Sequence, residues 1–326
     1  MLENIFTLGF IPKGSTWLDV FHLFERELIE LQHGVIFTRY DGKKIVLKGF
    51  IAYHKNDMSE FSKIGRQVGA SGGKFCKHCN ITKADGFSTK ISSNSVDWKS
   101  LREQYVVDEL FSRLNDTKLQ NLLRFKFGYC DSFNVFKRIY FNPIEMAPLD
   151  PYHSLLFGQV KKVHKTMYGI LSKTGRKEME LRYESMQLPD SVPKLRSANP
   201  ECWESRSMTE YLYFLTPLPY LYHGLIPHFV VEALMIWRYG LINIFNECPE
   251  ILSPELYAEQ ATEIAKNLLI FHEWAGDKSL LKAPTFHSIL HLIRYSSRIG
   301  NVRLYVTQRE GSKNSSLIEN PYHCQF

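Results

Sequence analysis

Three short stretches of this sequence carry side chains whose types and spacing could do chemistry. In "KFCKHCN", Cys76 and Cys79 put two thiols on one tight turn, which is half of a zinc site because two thiolates so placed can take adjacent corners of a tetrahedron. Closure needs two further ligands, and Cys130, His54, His78 and His153 are the candidates, none at the spacing of a recognised finger. Reduced structural thiols and a redox pair are the competing readings. In "FHSILHL", His287 and His291 fall at i, i+4 on one helix face, a spacing able to chelate metal. With no HExxH glutamate and no cysteine nearby in the sequence, packing or nucleic-acid contact is the expectation for that pair. In "APLDPYHSLLFGQVKKVHKTMYGIL", Asp150 and His153 stand where a loop turns into a helix. Asp150 at the N-cap with Pro151 behind it is the usual chemistry of a helix start, and the sharper alternative is a nucleic-acid-processing site.

The remaining chemistry is basic. Lys161, Lys162 and Lys165 cluster with His164 on that helix, and Arg294, Arg298, Arg303 and Arg309 follow Lys282 against the single acid Glu310 before Lys313. Such residues could line a phosphate-backbone groove or form an ordinary solvated face. No GxGxxG, GxxxxGK[ST] or GxSxG occurs, which removes the commonest nucleotide-binding and hydrolase chemistries.

The elements that must position these residues are mostly helical. Ser15 can cap a helix with Val20, Phe21, Phe24, Leu28 and Leu31 at helical spacing and Gly34 as its stop. "GVIFTRYDGKKIVLKGFIAY" reads as a β-hairpin around Asp41-Gly42, a type I′ signal. Helical patterning resumes in "DWKSLREQYVVDELFSRLN" and "TKLQNLLRFKFGY". It continues after Asp150, with Leu155, Leu156, Val160, Val163, Met167, Ile170 and Leu171 on one face, and returns in "SPELYAEQATEIAKNLLIFHEWAG". The uncharged run at 211–231 is broken by Pro217, Pro219 and Pro227, so a buried, kinked helical layer is expected there and not a membrane span.

With 326 residues, 44% hydrophobic and 13% aromatic, the chain can bury a substantial core. Six cysteines with only one close pair do not make a disulfide framework, and "MLENIFTLGFIP" lacks a basic n-region, so the expectation is a reducing compartment, nucleus or cytoplasm, and not secretion. A net charge of +6 permits a polyanionic partner without demanding one.

Taken in order, "LGFIPKGSTWLDVFHLFERELIELQHGVIF", the hairpin, "GASGGKFCKHCN", "LDPYHSLLFGQVKKVH" and "FHSILHLIRYSSRIGNVRLYVTQREGSKNS" resemble the transposases of fungal Plavaka elements, relatives of the CACTA and Kyakuja-Dileera-Zisupton groups. The resemblance covers most of the chain and rests on the order of its segments. It implies an RNase H-like core in which three acidic side chains bind two Mg²⁺ or Mn²⁺ ions for DNA strand cleavage and transfer. It also implies that a large helical insertion splits that core.

Carried over by position, Asp57 is nearest to the second acid, Cys76 and Cys79 match a C-x-x-C, and Asp150 and His153 match a D-x-x-H at a helix start. In the late element Arg309 and Asn314 match, Gln308 and Gly311 replace two glutamates, and Glu310 is the acid at hand. The catalytic candidates are thus Asp57, Asp150 and Glu310. The family's first acid would precede Leu8, so the resemblance implies a truncated DDE-type transposase with lost or impaired strand transfer and residual DNA binding. An active metal-dependent nuclease and a helical protein-interaction module are the alternatives, and a homo-oligomer is compatible with each.

The expected fold is an α-rich mixed α/β chain with a partial RNase H-like core, a small β-sheet and a large helical insertion. The expected division is a sheet region at 1–70, a Cys-containing irregular insertion at 71–95, the helical insertion at 96–280 and a basic helical segment at 281–326.

Overall fold

The computed structural model describes residues 17–51, 72–74, 76–82, 97, 106–107, 109–110, 113–128, 138–139, 141–142, 144–187, 197–203, 208–245, 254–276, 284–292 and 294–295. Helix α1, Trp17–His33, ends where Gly34 turns to φ 110° and its N–H donates to the Glu30 carbonyl (2.9 Å), a conformation that only glycine adopts cheaply. Phe21 anchors α1 in a small cluster with Ile139, Phe141 and Ala147.

Strands β1 (Val35–Thr38) and β2 (Lys44–Leu47) then pair antiparallel, Val35 opposite Leu47. The hairpin is as expected but its turn is not type I′. The Arg39 N–H donates to the Lys43 carbonyl (2.9 Å), which leaves a three-residue loop with Gly42 at φ 77°. Among the described residues this hairpin is the whole of the sheet, so the α-rich mixed class stands and no wider RNase H-like sheet is seen.

Helix α2, Thr117–Phe127, is capped by Asp116, whose carboxylate accepts from Lys118 N (2.8 Å). From Pro151 the chain runs into one continuous helix. Tyr152–Val160 is wound as a wider π-helix and Lys161–Ile170, α3, is α-helical. Leu155, Leu156, Val160, Val163, Met167 and Leu171 of the expected apolar face are buried, whereas Ile170 is exposed.

Helices α4 (Lys173–Ser185), α5 (Met208–Leu215), α6 (Leu218–Tyr222), α7 (His228–Phe245) and α8 (Pro254–Ala275) complete the main core with that face. The proline-broken run at 211–231 is thus α5, α6 and the start of α7. Tyr211, Phe214, Leu218, Leu221, Tyr222 and Val230 are buried in it, and no described helix is long and apolar enough to cross a membrane. Each such side chain contributes roughly 1.5–3 kcal/mol when fully buried.

Helices α7 and α8 lie against each other because Gly240 has no side chain: a Cβ there would stand 2.6 Å from Ile264 Cγ1. The last described element, α9 (Pro284–His287), continues as a 3₁₀ turn, Ser288–His291, and its Phe286, Ile289 and Leu290 belong to the same core.

Candidate metal centre

Cys76 and Cys79 lie on a turn whose sulfurs face inward, with the His78 N–H donating to Cys76 Sγ (3.4 Å). His287 closes α9 and His291 ends the following 3₁₀ turn, so both rings leave the same side of that short helical segment. The two segments meet. Cys76 Sγ is 3.0 Å from His291 Nε2, and Cys79 Sγ is 2.9 Å from His287 Nε2. The two imidazoles cross at 85° with centroids 4.6 Å apart. All four ligand atoms lie within 4.8 Å of one another and all four residues are buried, which is the donor set and span of a closed tetrahedral Cys₂His₂ zinc site. The cluster could therefore hold a metal such as zinc.

Electrostatics favours the ligand forms. Burial alone would raise the Cys76 thiol, but its hydrogen bond with Cys79 and the adjacent His291 and His287 outweigh that and hold it well below its ordinary range. Burial pushes His291 down, against the pull of Cys76. A thiolate and a neutral imidazole are what a metal binds, since each ligand must shed its proton first.

The helix start at Asp150 braces this centre. A Cβ on Gly158 would stand 2.5 Å from Thr285 Cγ2, and Gln159 Nε2 donates to the Thr285 carbonyl (2.9 Å), so the π-helix grips the first turn of α9. On the other side the His78 ring packs edge-on against His291, with ring centroids 5.3 Å apart. Its Nδ1 lies 3.0 Å from the Ile144 carbonyl, which also accepts from the Tyr295 hydroxyl (3.0 Å). Burial and the neighbouring Lys77 charge push His78 well below its ordinary range, consistent with a neutral structural ring.

No protein-family model matches the chain, and no curated protein matches it. The geometry stands by itself.

The partners expected to close the Cys pair are thus corrected. His78 faces Ile144, His153 is bonded to Asp150, and Cys130 and His54 lie outside the described residues. His287 and His291, expected to serve packing or nucleic-acid contact, are instead brought against the two cysteines, because folding joins positions 208 and 215 residues apart. Each half had a readable signal, a C-x-x-C and an H-x-x-x-H, but nothing local paired them.

Asp150 fills its capping role. It is buried, its Oδ1 accepts from Tyr152 N (3.0 Å), its Oδ2 bonds His153 Nδ1, and its carbonyl accepts from Ser154 Oγ (2.8 Å). Of the DNA-binding candidates, Lys162 and Lys165 are exposed on α3, Lys165 facing Glu201 at 3.6 Å, and Lys161 sits 5.0 Å over the Phe157 ring. Arg294 is engaged by Glu145 (2.7 Å). Asp57, Arg298, Arg303, Arg309, Glu310 and Asn314 lie outside the described residues.

Proposed function

We propose that this chain is a transposon-derived, nucleic-acid-binding protein of DDE-transposase ancestry, with a structural zinc at the Cys₂His₂ centre and strand-transfer chemistry lost or impaired. One observation carries it. The Cys pair belongs to "GASGGKFCKHCN" and the His pair to "FHSILHLIRYSSRIG", two of the ordered segments of the resemblance, and they converge across the helical region that the resemblance treats as an insertion. Four buried protein ligands leave no open coordination position, so the ion is structural and not catalytic. Impairment follows from Gln308 and Gly311 standing where two glutamates belong, and from the buried, fully engaged state of Asp150. Reduced thiolate ligands suit the nucleus or cytoplasm.

An active nuclease using Mg²⁺ or Mn²⁺ is the second reading, and one feature favours it. Asp57 lies as far before Cys76 as Glu310 lies after His291, so a metal cross-link would tether both acids to one point by equal lengths of chain. The test is DNA binding and cleavage by the zinc-loaded full chain. Affinity for duplex DNA is expected to fall steeply with salt, and Lys162→Glu with Lys165→Glu to flatten the log–log salt slope by about 2, with no nicking in Mg²⁺ or Mn²⁺. Binding indifferent to salt and to those substitutions would reject DNA binding, and nicking abolished by Asp57→Ala would establish the active enzyme instead.

A further inference from the structure

Away from the metal centre, α7 breaks the usual rule for a core helix. It is apolar nearly all round, which ordinarily means burial on every side, yet Phe229, Met235, Ile236 and Tyr239 are exposed. Beside them a cleft of about 600 Å³ opens between α7 and α8. Phe229, Glu232 and Ile236 form one wall, and Ile270, Glu273 and Trp274 the other. Trp274 is half-buried and rests on the main core, so its ring is held as a fixed surface.

The charged groups that line the cleft are both carboxylates. Glu232 and Glu273 are exposed, one on each wall, and among the described residues the buried Asn267 and the indole N–H of Trp274 are the other polar groups of the lining. Asn267 Nδ2 donates one of its two hydrogens to the Glu263 carbonyl (2.8 Å), and its amide oxygen is a further acceptor. Among the described residues no Lys or Arg lines the cleft, and the exposed His228 approaches Glu232 at 3.3 Å. Two carboxylates, an amide oxygen and two aromatic rings complement a cation with N–H donors, because ring faces and carboxylates both attract positive charge. The exposed apolar stripe on α7 extends past the cleft, so the cation would arrive with apolar neighbours.

We propose that the α7–α8 cleft docks a basic amphipathic helix of a partner protein, with an arginine or lysine between Phe229 and Trp274 facing Glu232 and Glu273, and apolar neighbours along Met235, Ile236 and Tyr239. This is helix-in-groove recognition with an acidic lock. It is independent of the metal centre and of the DNA-facing lysines on α3.

A displayed library of random helical peptides, selected on the zinc-loaded full chain, tests it. The Glu232→Lys/Glu273→Lys variant serves for counter-selection, once its thermal midpoint is shown to equal that of the parent chain. Enriched peptides are expected to carry Arg or Lys with large apolar residues three or four positions away. They should bind the variant at least about tenfold more weakly and lose a similar factor when their basic residue becomes Ala. No enrichment, enrichment of peptides lacking a basic residue, equal binding to the variant, or competition by free arginine or spermidine at the peptide's own concentration would each overturn the proposal. The last outcome would mark a small-cation site, and enriched peptides that match a segment of this chain would also overturn the proposal by marking a second copy as the occupant.

Discussion

His291 illustrates how much one side chain can decide. Its ring is completely buried, its Nε2 reaches Cys76 Sγ, and burial holds it neutral, so it is poised as a ligand. A metal site filled at a thousandfold excess over its Kd stabilises a fold by about 4 kcal/mol. Cys79→Ser and His291→Ala are therefore each expected to cut bound zinc from about one ion per chain to nearly none and to lower the melting midpoint by roughly 8 °C or more. Metal analysis and calorimetry read both effects. Cys202→Ser, at an exposed cysteine outside the cluster, should change neither. Individual residues were legible where their partners are local. Asp150 and Pro151 announce a helix start because capping is settled within a few residues, and that is what Asp150 does. His287 was misread because its partner is brought to it by tertiary packing, and no spacing rule reaches so far along a chain.

Among the elements, the long helix after Asp150 carries the most consequence. Its apolar period was readable, since burial follows from a stripe at helical spacing, but its π-wound first part was not, because no spacing of apolar residues marks it and Gly158 meets Thr285 only through the fold. Gly158→Ala forces a Cβ into that contact, and overpacking of this kind costs about 1–3 kcal/mol. A lowered midpoint and faster zinc loss to a colorimetric chelator are the expected results, and an unchanged release rate would show that the π-helix does not brace the centre.

Farther along the same helix, aromatic packing encloses His164, which stacks on Trp203 with centroids 4.5 Å apart and meets the Tyr222 hydroxyl through Nδ1 (2.9 Å). Burial pushes Tyr222 well above the ordinary phenol range. Burial and the hydrogen bond to Glu180 push Tyr168 up to about 12. A phenol raised in the folded state retains a proton that the unfolded state gives up near pH 10, so this stability is intact below about pH 10 and is lost as pH rises through the folded values. Midpoints recorded between neutral pH and strong alkali should fall above about pH 10 in the parent chain and fall less steeply in the Tyr168→Phe/Tyr222→Phe variant.

For the whole molecule, a metal held at this centre would be a staple. It would tie the Cys turn to the end of the helical core across more than two hundred residues, and cross-links that close long loops remove the most conformational freedom from the unfolded chain. Most of the main core, from Tyr152 to Phe271, lies outside the histidine-bearing segment, which adds Phe286, Ile289, Leu290, Leu292 and Tyr295 to it. Stripping the metal with a chelator is therefore expected to lower the midpoint while leaving most of the helical circular-dichroism signal, and complete loss of helicity would show that core and staple fold only together. At this scale the sequence conveyed the helical bulk and the proline-broken layer, because periodicity and proline act locally. It did not convey that the last helix joins the core of the others, since packing partners leave no mark on hydrophobic period.

The central claim is that Cys76, Cys79, His287 and His291 bind one zinc ion as a closed tetrahedral set. X-ray absorption at the zinc edge of the purified full chain tests it most directly. The account predicts two sulfur scatterers at about 2.3 Å and two imidazole nitrogens at about 2.0 Å, with the sulfur shell lost in Cys76→Ser/Cys79→Ser. A shell of oxygen donors, four sulfurs, or an unchanged spectrum in that variant would contradict it.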